Sequence, residues 1–524
     1  MFKYVITKIF MSIIMEKLLD NLNEYIPKIE KLIIEKENKI RRKEPVIHRW
    51  WSRRFIYLYR SILSAFLLET NDKFFESIEN PELLDAKGQV YLEPMAGGGT
   101  GIVEASLYNY NAYGIDINPL AVKIIKGYSI LRNNVDFDKI ISVIEEVKNE
   151  LNQIWTYNGQ EVSYVFFTKE KVPSWIMTYG KKKVILCPNC GRTFETENTK
   201  EVNCPYCNYN IEITIRPIYG PKNYVTDSEW KIFGFITNKK FIFDRDWLDK
   251  RIKLINEIPH IEIDVNIEQI KEGKRLLKAG ISRPEQLFTK AQLLTFQKIV
   301  EKSKKLNNNE RLLLMLAVSD SVKTCSILSK WHPKQNEPVP FAGGLKAYWV
   351  PKYHVETNPL ALHARSSIFL NINRQQIMKN YEFRGEINVI HGDVLIVNYP
   401  KSDLIILDPP YYGLAPSYSS LSFPHIVIIN MFEKIQLRES LEKEIRNIKY
   451  FEKLLKILTK SKEALKENGR IVLMINMKSK ENKLDEIIEM SKLNIINRYE
   501  ILGEFPGELG RSNNRKIKLI ILGK

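Results

Sequence analysis

Gln89-Val90-Tyr91-Leu92-Glu93-Pro94-Met95-Ala96-Gly97-Gly98-Gly99-Thr100 is the stretch whose reading decides the fold. An apolar run of strand character ends in an acid and a proline. Three glycines follow, then a stretch over 100–108 that reads as a helix. Strand, turn and helix in that order open an α/β unit. The pattern repeats at once: Ala112-Tyr113-Gly114-Ile115 reads as a second strand closed by Asp116, and Pro119 opens a helix at its first turn. The turn is not the dinucleotide fingerprint, because its glycines are consecutive, and it is not a P-loop, because no Gly-Lys-Ser/Thr follows. Glycines there lack Cβ atoms and let a ligand approach the backbone. Ligands of open α/β sheets sit beyond the carboxyl ends of the strands.

Alternating α/β signals return after about residue 360. Ile387-Asn388-Val389-Ile390 predicts a strand ending at Gly392-Asp393. Leu404-Ile405-Ile406-Leu407 predicts the next, ending at Asp408-Pro409-Pro410-Tyr411. A helix near 443–467 precedes a strand over 470–475, and a helix near 483–492 precedes two strands, about 495–502 and 515–522, that have no helix between them and should pair antiparallel. Residues 12–42 read as a charged helix. The expected fold is α/β: a doubly wound, Rossmann-like sheet interrupted by a large insert. The expected domains are an N-terminal helical region over 1–44, a discontinuous catalytic domain over 45–150 and 355–524, and an insert over 155–350 that carries a cysteine cluster at about 180–215.

The strand ends carry the chemistry. Two prolines cannot continue a strand and fix the backbone locally. The Asp408 carboxylate and the Pro409 carbonyl can then accept both hydrogens of one exocyclic amine, and the ring of Tyr411, after Pro410, can stack on a flat base. An ordinary Asp-Pro turn is the alternative. At the glycine turn, Glu93 and Pro94 precede Gly97 and Gly99. Asp116 is placed to accept ribose hydroxyls and Asp393 to accept from an adenine amine. Each acid alone is more often a helix cap. In order on successive strands they fit S-adenosylmethionine, whose amino group and sulfonium are cationic.

The chain has 524 residues and 44% apolar residues, enough for several domains and a large core. Lys and Arg number 79 against 62 Asp and Glu, a net +17 that suits a polyanionic partner. Residues 36–60 hold nine basic side chains against Glu37 and Glu44, interleaved with His48, Trp50, Trp51, Tyr57 and Tyr59. His48, Trp50, Trp51, Arg53 and Arg54 are the expected nucleic-acid contacts. A solvated helix face with tryptophan in the core is the alternative. The apolar N-terminus is broken by Lys3, Lys8 and Glu16, too often to span a bilayer, and no cleavage site follows it. A cytoplasmic protein with no membrane partner is expected. Cys187-Pro188-Asn189-Cys190 and Cys204-Pro205-Tyr206-Cys207, thirteen residues apart, predict a tetrahedral thiolate site for structural Zn2+. The fifth cysteine, Cys325, reads as buried and apolar.

Beyond these readings, the motifs resemble the amino-methyltransferases of the DNA adenine type. His48-Arg49-Trp50-Trp51-Ser52-Arg53-Arg54 is similar to the His-x-Trp-Trp-Ala-Arg-Arg signature of adenine-specific DNA methylases that contain a zinc ribbon. Leu287–Leu294, Cys325–His332 and Glu356-Thr357-Asn358-Pro359 resemble further segments of that group. The resemblance implies an S-adenosylmethionine-dependent enzyme acting on the N6 amine of an adenine flipped from double-stranded DNA. It implies catalytic roles for Asp408, Pro409, Pro410 and Tyr411, and an insert that reads DNA sequence. N4-cytosine methylation, amino-methylation of a transfer-RNA guanosine, and a non-catalytic nucleic-acid-binding protein are alternatives. A separate restriction or defence component is a compatible partner. Glu356-Thr357-Asn358-Pro359 echoes Asp116-Ile117-Asn118-Pro119; its place after the glycine turn favours Asp116 as the ribose acid, with Asn358 capping a helix started by Pro359.

Overall fold

The computed structural model describes residues 17–43, 46–51, 54–168, 174–198, 200–213, 231–267, 273–278, 280–341, 353–362, 364–365, 367–412, 418–435, 449–476, 481–505 and 513–524. Two compact units result. The first comprises residues 1–134, 377–418 and 437–524, the second residues 135–376 and 419–436. These boundaries fall at 134 and 377, where the sequence reading drew them at 150 and 355. The helix Phe137–Glu150 packs on Lys290–Lys302, and the strand Tyr353–Thr357 pairs with Gln160–Thr168, so both join the second unit.

The first unit is built on a seven-stranded, mostly parallel sheet. Its strands are β1 (Val90–Pro94), β2 (Asn111–Asp116), β3 (Ile387–His391), β4 (Ser402–Leu407), β5 (Leu465–Ile475), β6 (Asn494–Phe505) and β7 (Asn513–Gly523). In space they run β3-β2-β1-β4-β5-β7-β6. All neighbours are parallel except β5–β7 and β7–β6, the antiparallel ending expected from the missing helix. The chain leaves β1 toward β2 and β3 and returns on β1's other side as β4, so the strand order reverses between β1 and β4. Ligands of such sheets sit at this reversal.

The helices of this unit are α1 (Ile26–Lys43), α2 (Ile56–Leu67), α3 (Phe74–Glu79), α4 (Thr100–Leu107), α5 (Pro119–Leu131), α6 (Lys449–Ala464) and α7 (Glu481–Met490). Leu454, Ile457 and Leu458 of α6 and Ile487 of α7 bury one face of the sheet, against Leu92, Ile405, Leu407, Ile471 and Leu473. The alternate residues, among them Tyr91, Leu404, Ile406 and Val472, are just as buried on the other face. Burial on both faces is why these strands read as unbroken apolar runs rather than as alternating ones. The helix expected over 12–42 starts only at Ile26, because Pro27 is tolerated only in a first turn. Residues 12–16 lie outside the described residues. Leu18–Asp20 forms a single 3-10 turn, and Asp20 meets Arg470 of β5 in a two-pronged pair at 2.8 and 2.6 Å.

Two contacts hold α2 in place. The Glu37 carboxylate of α1 accepts from the backbone N–H groups of Ile56 and Tyr57, satisfying donors that a helix start leaves open. Arg60 pairs with Glu104 of α4 at 2.7 Å, both buried. Residue 54, two positions before α2, is therefore delivered at a fixed point.

The second unit carries a sheet ordered 240–242, 231–237, 160–168, 353–357, with 156–157 also on 160–168. Its centre is polar. Arg251 and Glu356 form a fully buried ion pair at 2.5 Å, and Arg251 also donates to the Ile154 carbonyl. Thr289 donates its hydroxyl to Glu356, Gln292 donates to the Thr357 carbonyl, and Thr357 donates to the Thr324 carbonyl. The segments 287–294, 325–332 and 356–359 thus meet as one scaffold. Asn358 accepts from Leu360 N–H in a turn, with no helix at Pro359; the helix starts at Ile368. The helix start expected at Pro359 is corrected on this point: Asn358 donates its amide to the Val162 carbonyl, which ties the turn to a strand.

No helix of the described residues is long and apolar enough to cross a membrane. Removing one partner of a buried ion pair strands the other. Glu356→Ala is expected to destabilise by roughly 3–5 kcal/mol, read as a lower denaturant midpoint, with Glu356→Gln costing less.

Candidate functional site

Glu93 and Asp408 lie at the carboxyl ends of neighbouring strands β1 and β4, at the point where the strand order reverses. Glu93 is 2% exposed. Its carboxylate accepts from the hydroxyls of Tyr59 at 2.5 Å and Tyr91 at 3.2 Å. A Cβ on Gly101 would stand 2.4 Å from that carboxylate, so the helix α4 can pass over the acid only with glycine there. Burial, augmented by the Asp408 charge, pushes Glu93 up to about 8, against the hydrogen bond from Tyr59, which lowers it.

Asp408 is held by Arg54. The guanidinium Nε lies 2.7 Å from Oδ2, and a terminal nitrogen donates to Oδ1 at 2.8 Å. The same guanidinium lies over the Tyr411 ring, 4.5 Å from its centroid. Burial drives the Tyr411 hydroxyl well above its ordinary range. Tyr412 packs on Tyr450 and Phe451, with ring centroids 5.6 and 5.2 Å apart. Pro409 and Pro410 end β4 as the sequence predicts.

The glycine turn is left-handed at Gly97 and Gly99, with φ of 54° and 77°. Met95, just after Pro94, also has positive φ, at 70°, a strained value for a residue with a side chain. Both Met95 and Ala96 donate to the Ile115 carbonyl, which holds the turn against β2. The space that glycine leaves is filled: a Cβ on Gly97 or Gly98 would stand 2.6 Å from Trp50. Trp50 in turn stacks parallel to Tyr418 at 5.7 Å. Asp116 accepts from Gly97 N–H at 2.8 Å and from Asn118 N–H at 2.8 Å, bracing the turn. Asp393 accepts from Leu395 N–H at the end of β3.

Of the five expected nucleic-acid contacts, three turn inward. His48, Trp51 and Arg54 are 1%, 3% and 8% exposed, so in this conformation they offer no surface to a phosphate. Arg54 is drawn in by Asp408. Trp50 is half-buried on the glycine turn, and Arg53 lies outside the described residues. Sequence reasoning missed Tyr59 and Tyr91 as partners of Glu93, and Tyr418 as a partner of Trp50; only the i, i+2 spacing of Tyr91 and Glu93, which puts both on one face of β1, hinted at one of them.

The four cysteines belong to the second unit. Their sulfurs lie within 4.8 Å of one another, with Cys187–Cys207 at 3.6 Å and Cys190–Cys204 at 3.7 Å. A disulfide needs about 2.05 Å. Zn–S bonds of about 2.3 Å in a tetrahedron put sulfurs about 3.8 Å apart. The cluster could therefore hold a metal ion such as zinc. Each knuckle turns alike: Gly191 N–H donates to the Cys187 carbonyl and Asn208 N–H to the Cys204 carbonyl, both residues left-handed. The hydrogen bond from Asn189, then that of the Tyr209 backbone, lowers the Cys207 thiol to about 6, whereas burial raises Cys187 to about 11. Cys325 is fully buried elsewhere and raised to about 12 by burial.

No protein-family model matches the chain, and no curated protein matches it either.

Purified protein is expected to carry about one metal ion per chain by elemental analysis, and Cys204→Ser to lose it together with thermal stability. Glu93 gives a second expectation. Its folded-state pKa is raised, so its contribution to stability is full at acid pH and is lost as pH rises toward about 8. Denaturant midpoints of the native protein should fall across that window more steeply than those of Glu93→Gln.

Proposed function

We propose that this chain is an S-adenosylmethionine-dependent methyltransferase that modifies an exocyclic amine of a nucleic-acid base, with the N6 of adenine in DNA as the first expectation. The observation that carries the reading is the placement of Asp408-Pro409-Pro410-Tyr411 beside the glycine turn, on adjacent parallel strands at the reversal of strand order. A single switch point then serves both donor and acceptor.

The residues fit a cationic methyl donor. Glu93 is buried, Asp408 is partly buried, and Arg54 is the guanidinium paired with Asp408. The carboxyl oxygens at this edge would accept from the ammonium group of such a donor. Glu93, Gly97, Gly99, Asp116 and Asp393 would hold this donor, beside Trp50 on the glycine turn. When bound, S-adenosylmethionine supplies an electrophilic methyl group. The protein's part is orientation. An exocyclic amine is a weak nucleophile because its lone pair is delocalised into the ring. Asp408 and the Pro409 carbonyl would accept its hydrogens and favour a pyramidal nitrogen whose lone pair faces the methyl group. Tyr411 would stack on a base taken out of the helix. In the amino-methyltransferases that the motifs resemble, aspartate rather than serine before the prolines favours adenine over cytosine. The cysteine cluster has four protein ligands and no open position, which supports a structural, zinc-ribbon role rather than a catalytic one.

Labelled S-adenosylmethionine with duplex DNA and with transfer RNA, followed by nucleoside analysis, tests the reading. N6-methyladenosine in DNA is expected. Label in N4-methylcytosine, or in methylguanosine of RNA with none in DNA, would replace the assigned target. Asp408→Ala is expected to lower methyl transfer by roughly a thousandfold while equilibrium binding of the donor survives. Near-normal turnover would remove Asp408 from the mechanism.

A further inference from the structure

Arg54 lies far from β4 in sequence, and the basic run around it reads as a nucleic-acid contact. The fold gives it another place. Glu37 fixes the first turn of α2 through the N–H groups of Ile56 and Tyr57, so the backbone just before it is held. From there the side chain turns inward and meets both oxygens of Asp408, at 2.7 and 2.8 Å. It also lies over the Tyr411 ring, 4.5 Å from its centroid. One side chain thus touches both residues of the amine grip.

We propose that Arg54 is a positioning residue for Asp408: it fixes the plane of that carboxylate at the edge of the sheet. The inference rests on the proposed amine-grip role of Asp408. Three physical points carry it. A carboxylate at a strand end rotates about its terminal bond, and a planar guanidinium engaging both oxygens removes that freedom in a way a lysine cannot. Each carboxylate oxygen has two lone pairs, so a pair with Arg54 leaves acceptor capacity for an incoming amine. Finally, among the described residues the charged and titratable groups around Asp408 include Glu93 and Tyr91 from β1, Tyr59 from α2, Tyr411 beyond β4, Tyr450 from α6, and Arg54 itself; Tyr418 faces Arg54. In that set Arg54 is the cation, and its loss would take from the Asp408 carboxylate the charged partner that sets its plane.

The test uses the full chain with S-adenosylmethionine and duplex DNA. Arg54→Gln is expected to lower kcat by roughly a hundredfold at neutral pH. Arg54→Lys should restore only a small part of that loss, because it returns the charge without the fork. Donor affinity should change by less than about threefold, since the loss is in kcat. A double-variant cycle guards against a folding artefact: if Arg54 acts only through Asp408, adding Arg54→Gln to Asp408→Asn should cost almost nothing further.

Arg54→Gln with wild-type kcat, or Arg54→Lys with full activity, overturns the inference. So does higher activity with a lower KM for DNA, which would mean that the guanidinium occupies the target amine's place. An additional loss in the Asp408→Asn background would assign Arg54 to the fold alone. These outcomes are separable from failure of the parent reading, which would show as no methyl transfer by the unaltered protein, or as full transfer by Asp408→Ala.

Discussion

Glu93 and Asp408 end adjacent parallel strands, and parallel pairing leaves them nowhere to go but the same edge of the sheet. Glu93 is buried there and Asp408 partly buried, so both acids lose hydration and their ionised forms would repel one another. The surrounding elements answer that cost. Tyr59 of α2 and Tyr91 of β1 donate to Glu93, and Arg54 pairs with Asp408. Each demand shapes a neighbour. α4 must carry glycine at residue 101 to clear the Glu93 carboxylate, and α2 must be anchored by Glu37 and by the Arg60–Glu104 pair to present Tyr59 and Arg54 from its start. The packing of the first unit around this edge follows from placing two acids where the strand order reverses.

The same logic explains why the motifs of the second unit are polar yet structural. Glu356, Thr289, Gln292 and Thr357 look, one by one, like site residues. Together they satisfy one another and Arg251 in a buried network. A buried network of this kind is strict about its members, since loss of one leaves another's donor or acceptor without a partner. Strict sequence requirements therefore arise there without any ligand. At the edge of the first sheet, by contrast, burial favours the neutral form of Glu93 up to about pH 8, a perturbation of the kind that clusters at functional sites.

The strands were legible because burial on both faces writes long apolar runs, and the strand ends because Asp-Pro-Pro and consecutive glycines cannot continue them. The cysteine knuckles were legible because metal ligation imposes spacing. What was not legible depends on contacts distant in sequence. Nothing near residue 54 says that its partner is residue 408, since a local run of arginines reads equally as a phosphate contact. Gly97 and Gly98 read as room for a ligand, yet the room they leave holds Trp50. Val135 to Glu150 reads as a continuation of the preceding α/β unit, and only its packing on Lys290–Lys302 assigns it to the second unit.

Trp50 changes what the basic, aromatic segment around residues 47–54 is for. A segment built to grip phosphates would hold its cations outward and its aromatics free. Here Trp50 lies on the glycine turn and on Tyr418, and Arg54 pairs with Asp408. The segment thus touches the glycine turn with one side chain and the Asp-Pro-Pro-Tyr motif with another, four residues apart. The described residues of the segment are committed to packing: each ring or cation turned inward gives up solvent and gains a specific partner, Asp408 for Arg54 and Tyr418 for Trp50.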